Sequence, residues 1–276
     1  MKKSVLTIIF IHFWVCFILN PSAQAKEITI GGSTTVQPVL QEMAVYYENL
    51  YPDISITVKS TNSGCGIKAF LNRTIEIGMF SRAIRPEEFE TAVMNKIYPS
   101  IHPIAMDGIT IIVHNDNATE SLTLAQIRNI FSGKISNWNS INNTDAPIEV
   151  VIRTPSSGTN AFFKKSILGD ISYTQTAIEQ YHHQDIVQHI QSHPHAIGYI
   201  GLGYISPAVK VLSIKGIYPT YQSISTGLYP LVRKLFLVTN GSPPLNSHIN
   251  RLIHLLYTFE GQQIIEKNGF VPLTNY

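Results

Sequence analysis

Three short stretches combine the residue types that hold small oxyanions: "GGSTTVQPVL" from Gly31, "TNSGCGIKAFL" from Thr61 and "RTPSSGTNAFF" from Arg153. Each sets serine, threonine and glycine between a strand-like apolar run and a segment of helical period. A helix start exposes unpaired backbone N–H groups and carries roughly half a positive charge, so anions bind there readily. Hydroxyls add further donors, and glycine lets the backbone come close. Arg153 would add a planar fork able to grip two oxygens at once. Taken singly, each loop reads as an ordinary N-cap, because Ser and Thr are favoured there. Their repetition, with an arginine at the end of an apolar run, points to a tetrahedral oxyanion.

Two other chemistries lack their patterns. The nucleotide-cradling loop needs G-x-x-x-x-G-K-[ST], and the nucleophile elbow of serine hydrolases needs G-x-S-x-G. "TPSSGTN" supplies neither, since no glycine stands two residues before Ser157.

The elements that must position these loops alternate. "KEITIGG" and "ISITVKS" read as strands, "TVQPVLQEMAVYYENLYP" as a helix stopped by Pro52, "SGCGIKAFLNRT" as a second helix and "IEIGMFSR" as a buried strand. Such alternation predicts an α/β fold with mainly parallel sheets flanked by helices, and ligands in that architecture sit at the carboxyl ends of strands. A second unit begins after "IHPIAMDGITIIVHND". A late strand, "LYPLVRKLFLVTN", leads through "GSPP" into one long helix, "LNSHINRLIHLLYTFEGQQIIEKNG".

Residues 1–25 read as a cleavable signal peptide: Lys2 and Lys3, an apolar run from Val5 to Leu19, then small residues at Ala23 and Ala25. Cys16 lacks the small-residue context of a lipid-modified cysteine, so no lipid anchor is expected. Cleavage leaves 18 of the 20 lysines and arginines against 18 acids. Such a near-neutral chain lacks the basic field of a nucleic-acid binder. Any anion must be held by local arrangement. Cys65 alone survives processing, which rules out an internal disulfide.

In order along the chain, "ITIGGSTTVQPVL", "SGCGIK", "IGMFSR", "PIAMDGITIIVH", "LTLAQIRNIFSGKISNWN", "VIRTPSSGTNAFF", "AIGYIGLGYI" and "YPLVRKLFLVT" resemble the periplasmic phosphate-binding proteins of bacterial phosphate ABC transporters. The resemblance covers nearly the whole mature chain. It implies a two-lobed type II periplasmic-binding-protein fold, each lobe a mainly parallel sheet flanked by helices, with crossovers near 104–113 and 231–238. The expected division is 26–108 with 235–276 for lobe 1 and 109–234 for lobe 2. The implied ligands are Ser33, Thr34, Thr35 and Val36 after the first strand, Ser63 in the second loop, and Arg153, Ser157, Gly158 and Thr159 in the second lobe. Well-studied members carry an aspartate after the third strand. Here that loop reads "GMFSRAI", so Ser81 and Arg82 stand in its place, with Arg82 expected on the anion. Asp107 is then the first candidate to accept the proton of a phosphate, or else it braces the hinge.

Residues 182–195 hold five histidines. His182 and His189, seven apart, share a helical face; zinc pairs stand closer and no H-E-x-x-H pattern assists, so a solvated helix end without metal is expected. Cys65 is expected to be a small buried residue. The resulting expectation is a secreted or periplasmic, monomeric, cofactor-free, non-enzymatic binder of inorganic phosphate that serves a membrane permease. The alternatives are a binder of sulfate or molybdate and a phosphate-sensing or surface protein on the same fold. A secreted hydrolase would need a nucleophile with a base.

Overall fold

The computed structural model describes residues 26–273, so the signal segment at 1–25 lies outside the described residues. The chain runs β1 (Lys26–Gly32), α1 (Gln37–Leu50), β2 (Ile54–Ser60), α2 (Ser63–Leu71), β3 (Ile77–Phe80), α3 (Pro86–Met94) and β4 (Pro99–Val113). It continues with β5 (Ser121–Leu122), α4 (Leu124–Phe131), α5 (Asn139–Asn142), β6 (Glu149–Arg153), α6 (Gly158–Phe163), β7 (Ile178–Gln180), α7 (His183–Ser192) and β8 (Ala196–Gly201). Last come β9 (Lys210–Ile214), α8 (Tyr221–Ser225), β10 (Val232–Asn240), α9 (His248–Leu255) and α10 (Phe259–Lys267).

The strands follow the order β2-β1-β3-β10-β4-β8-β6-β7. In lobe 1, β1 lies parallel to β2 and β3, and in lobe 2, β6 lies parallel to β7 and β8. The two crossover strands are antiparallel to their neighbours. β4 is long because it serves both lobes: Gly108 still faces Val232 of β10, whereas Ile109 faces Gly201 of β8. At about 3.3 Å per residue, its 15 residues span roughly 50 Å.

Each lobe has its own apolar core. In lobe 1, Ile28 and Ile30 of β1 pack on the α1 stripe Val39, Leu40, Met43 and Tyr47, whose spacing is that of one helical face. Phe131, Trp138, Phe163 and Tyr199 fill lobe 2. The long terminal helix expected from sequence is two helices. Thr258 caps α10 through the Gly261 amide, and a side chain at Gly261 would strike the Leu255 carbonyl oxygen at 2.0 Å, so the chain turns sharply there and only glycine fits. Leu252, Ile253, Ile264 and Ile265 then return to the lobe 1 core. Among the described residues, no helix is long and apolar enough to cross a membrane.

Candidate anion-binding site

The three helix starts meet between the lobes. Ser33 to Val36 follow β1, Asn62 and Ser63 follow β2, and Ser157 to Thr159 follow β6, each at the carboxyl end of its strand. Thr35 Oγ1 lies 3.2 Å from Thr159 Oγ1 across the cleft, and Arg153 Nη2 donates to Thr34 Oγ1 at 2.9 Å. Ser63 Oγ stands 3.2 Å from Ser81 Oγ. Gly158 faces both: a Cβ there would meet Ser63 Oγ at 2.4 Å and Ser81 Oγ at 2.5 Å, so even a methyl group would displace both hydroxyls. Further cross-cleft bonds run from Asn62 Nδ2 to Ser156 Oγ (2.9 Å), from the Gly64 amide to the Ser156 carbonyl (3.0 Å) and from Tyr204 Oη to the Thr34 carbonyl (2.6 Å). This is a closed form.

Arg153 is fully buried. Its backbone is fixed by Tyr199 Oη and Asn160 Nδ2, and its Nη2 also donates to the Tyr181 carbonyl. Nε and Nη1 are buried with no hydrogen-bond partner among the described residues. Burial lowers the guanidinium to about 10, which still leaves it charged at neutral pH. A buried cation with two unmatched donors is unfavourable unless an acceptor joins it.

Arg233 and His183 complete the arrangement, and neither is among the residues expected from sequence. Arg233 reaches in from β10. Its Nη2 donates to Thr159 Oγ1 at 3.0 Å and its Nη1 to the Ser81 carbonyl at 2.9 Å. Behind it lies Asp107, whose Oδ2 accepts from Arg233 Nε (2.9 Å) and Nη2 (2.7 Å) while Oδ1 accepts the Leu202 amide (2.8 Å). Burial pushes the Asp107 carboxyl up and the Arg233 guanidinium opposes it. With both oxygens engaged, Asp107 joins the two crossover strands to lobe 2.

His183, at the start of α7, was expected on a solvated helix end and is instead fully buried, stacked on Tyr204 with ring centroids 4.3 Å apart. It belongs to the same helical stripe as Ile186 and Ile190, which turns it inward. Its Nδ1 accepts the Gly201 amide at 3.3 Å, so Nε2 carries the proton and donates to Thr35 Oγ1 at 2.9 Å. Burial first, then Arg153, Arg233 and His182, hold its pKa well below 6.5. The imidazole is therefore neutral.

These bonds set the polarity of the cleft. Thr34, Thr35 and Thr159 each accept a bond from Arg153, His183 or Arg233, which leaves their hydroxyls to act as donors, one of Thr35 and Thr159 donating to the other across the cleft in this form. With Asp107 opposing Arg233, one net positive charge is left. The Thr35–His183 pair has the spacing of a nucleophile and its base, yet the tautomer is wrong: Nε2 already bears a proton and cannot take another from the hydroxyl.

Two further placements, those of Arg82 and Cys65, differ from the sequence expectation. Arg82 is turned away, its Nη1 and Nη2 on the Glu88 carboxylate at 2.7 and 2.6 Å, because Glu88 sits in the first turn of α3 and also accepts the Arg85 amide. Ser33 and Ser157 cap their loops, their Oγ atoms accepting the Thr35 and Thr159 amides at 3.1 Å, which leaves their own hydroxyl hydrogens to donate. The Thr35 and Thr159 amides are thus occupied, so the cleft relies more on side-chain donors than helix starts alone imply, while the Val36 side chain packs into the lobe 1 core and leaves its amide at the helix start. Cys65 is exposed, because the buried stripe of α2 is Ser63, Gly66, Ile67 and Phe70.

The depressed His183 pKa has a measurable consequence. Below about pH 6.5 the unfolded chain takes up a proton at this residue that the fold refuses, so its stabilising contribution is present above that pH and lost as pH falls toward the folded pKa. Denaturant unfolding from pH 7.5 to 5 should show wild type losing about 2 kcal/mol more than His183→Gln in all, the slope approaching about 1.4 kcal/mol per unit only well below pH 6.5. Parallel profiles would show that His183 titrates normally.

Two lobes, two crossover strands and a donor-lined cleft between them define a solute-binding protein of the type II periplasmic fold. The profile of the PBP superfamily domain matches residues 20–255. Over 99% of both chains, the protein is 28% identical to the phosphate-binding protein PstS of Borreliella burgdorferi. It is 30% identical to PstS of Staphylococcus saprophyticus, over 78% of this chain and 70% of that protein. The crystal structure of a putative phosphate ABC transporter substrate-binding protein with bound phosphate from Clostridium perfringens superposes with a TM-score of 0.83 at 30% identity, covering 90% of this chain and 100% of that one. The chain belongs to the PBP superfamily and, within it, to the PstS phosphate-binding proteins.

Proposed function

We propose that this protein binds inorganic phosphate between its lobes outside the cytoplasm and hands it to an ABC-type permease, without catalysing a reaction. The observation that carries this reading is the buried Arg153 guanidinium, two of its nitrogens unpartnered, ringed by hydroxyls from both lobes that are oriented to donate. The names borne by its relatives point to the same ion. Thr34, Thr35, Ser63, Ser81, Arg153, Gly158 and Thr159 line the anion cleft, with Arg233 and His183 added and Arg82 left out. The hydroxyls of Ser33 and Ser157 and the Val36 amide stand at the same helix starts to donate, and Asp107 holds Arg233 in place. Lobe 1 comprises 26–108 and 235–276, lobe 2 comprises 109–234, and the signal segment at 1–25 directs export. The protein acts as a monomer, with closure over the anion presenting both lobes to the permease in their ligand-bound spacing.

Calorimetry tests the reading. Phosphate should give saturable heat with one site per chain, and arsenate, of the same shape and protonation, should compete. Absence of heat with phosphate, with sulfate or molybdate saturating the protein instead, would reassign the site to that oxyanion. Turnover of a chromogenic phosphate ester would contradict the non-catalytic part.

A further inference from the structure

The far end of α7 carries a second cluster with ligand chemistry, on the opposite end of the helix from His183. We propose that Glu149, His189 and His193 bind a divalent transition-metal cation, zinc foremost. The histidine pair that matters is not the one seven apart but His189 and His193, four apart, which places both rings on one helical face. The rings stack with centroids 4.0 Å apart and planes 7° from parallel. Glu149 opens β6 opposite Ala196 of β8, and its amide donates to the His195 carbonyl at 3.2 Å, which pins the residue beside the helix end. Its Oε1 is in hydrogen-bond contact with His189 Nε2. One ligand atom from each residue lies within 4.8 Å of the other two. Around zinc at about 2.0–2.2 Å, donors stand about 3.4 Å apart, so the Glu149–His189 contact opens, wider separations close and the stacked rings turn to aim at one point.

The Glu149 carboxylate can only accept, so the His189 Nε2 hydrogen in that contact must leave as zinc binds, whereas His193 needs no change of protonation. His193 Nδ1 lies 2.8 Å from the His189 carbonyl oxygen, which can only accept, so Nδ1 carries the hydrogen and the Nε2 lone pair is free. A backbone carbonyl on the second ring nitrogen is the usual way a ligating imidazole is oriented. The field fits too: the carboxylate is anionic, and the end of a helix carries partial negative charge. Two imidazoles and one carboxylate form a nitrogen-rich set suited to zinc with a fourth position for water, and unlike the all-oxygen sets of calcium or magnesium. His193 is exposed and the other two are half-buried, so a cation can enter. Along α7, His189 stands about 9 Å and His193 about 15 Å of helix rise beyond His183, so metal and anion occupy distinct places.

The test uses untagged, chelator-treated protein titrated with zinc chloride by calorimetry, and with cobalt(II), followed by its visible absorption. Wild type should bind one zinc per chain, with the cobalt complex showing the absorption of a tetrahedral site. His189→Ala and His193→Ala should each weaken zinc by at least about tenfold, Glu149→Gln should weaken it as well, and all three should keep wild-type phosphate affinity. Zinc should raise the melting temperature of wild type and leave that of the histidine variants unmoved. No saturable zinc binding, or binding unchanged in both histidine variants, overturns the proposal and leaves Glu149–His189 as an ion pair only.

Discussion

Arg153→Ala lowers phosphate affinity by about 10²- to 10⁴-fold in calorimetry. The size follows from two donors, Nε and Nη1, that are buried and unmatched among the described residues. Charge-assisted hydrogen bonds contribute about 1.5–3 kcal/mol each, so the pair amounts to roughly 3–6 kcal/mol. The variant also removes the net positive charge of the cleft, since Asp107 opposes Arg233. Arg153→Lys should recover only part of the loss, because an ammonium is a point charge that cannot present two coplanar donors. Without phosphate, the alanine variant should unfold at nearly the wild-type midpoint. What it gives up to Thr34 and Tyr181 is offset by releasing a desolvated cation with orphaned donors. Full affinity in Arg153→Ala would move the anion elsewhere in the molecule.

The loops were legible because their chemistry is local: hydroxyls and glycine between a strand and a helix read the same in sequence and in space. Arg153 and Thr159 were visible for that reason. Arg233 was not, though a signal existed. In "VRKLFLV", period-two alternation puts Arg233 on the face of Leu235 and Leu237, and a charge on the buried face of a strand demands a partner. Asp107, inside the apolar run of β4, is that partner, but only the antiparallel register of Arg233 with Asp107 shows it. His183 was missed for a similar reason. Counting His182 with His189 followed the solvated stripe of α7, while the buried stripe runs His183, Ile186, Ile190. Arg82 was misplaced because its partner Glu88 lies six residues on, across a loop and inside the next helix, where no fixed sequence spacing joins them. Each of these positions is decided by register between elements, which composition and periodicity within one element do not contain.

Asp107→Asn should cause a large loss of stability. The carboxylate and the Arg233 guanidinium are both almost wholly buried, with Oδ2 2.7 Å from Nη2. Removing one partner of such a pair leaves an uncompensated buried charge and costs about 3–5 kcal/mol. At about 2–4 °C per kcal/mol for a chain of this size, the melting temperature in phosphate-free buffer should fall by roughly 6–20 °C. Phosphate should restore more of that loss than it adds to wild type, because the cleft of the variant carries both arginine charges with no carboxylate behind them and an anion supplies the missing countercharge. Asp107→Asn with Arg233→Met should recover stability without phosphate, since no orphaned cation is left, while binding phosphate more weakly than wild type through loss of the bond to Thr159. An unchanged melting temperature in Asp107→Asn would mean that Arg233 finds its compensation elsewhere, and a double variant no more stable than the single one would mean that Asp107 acts through the Leu202 amide and not through the arginine.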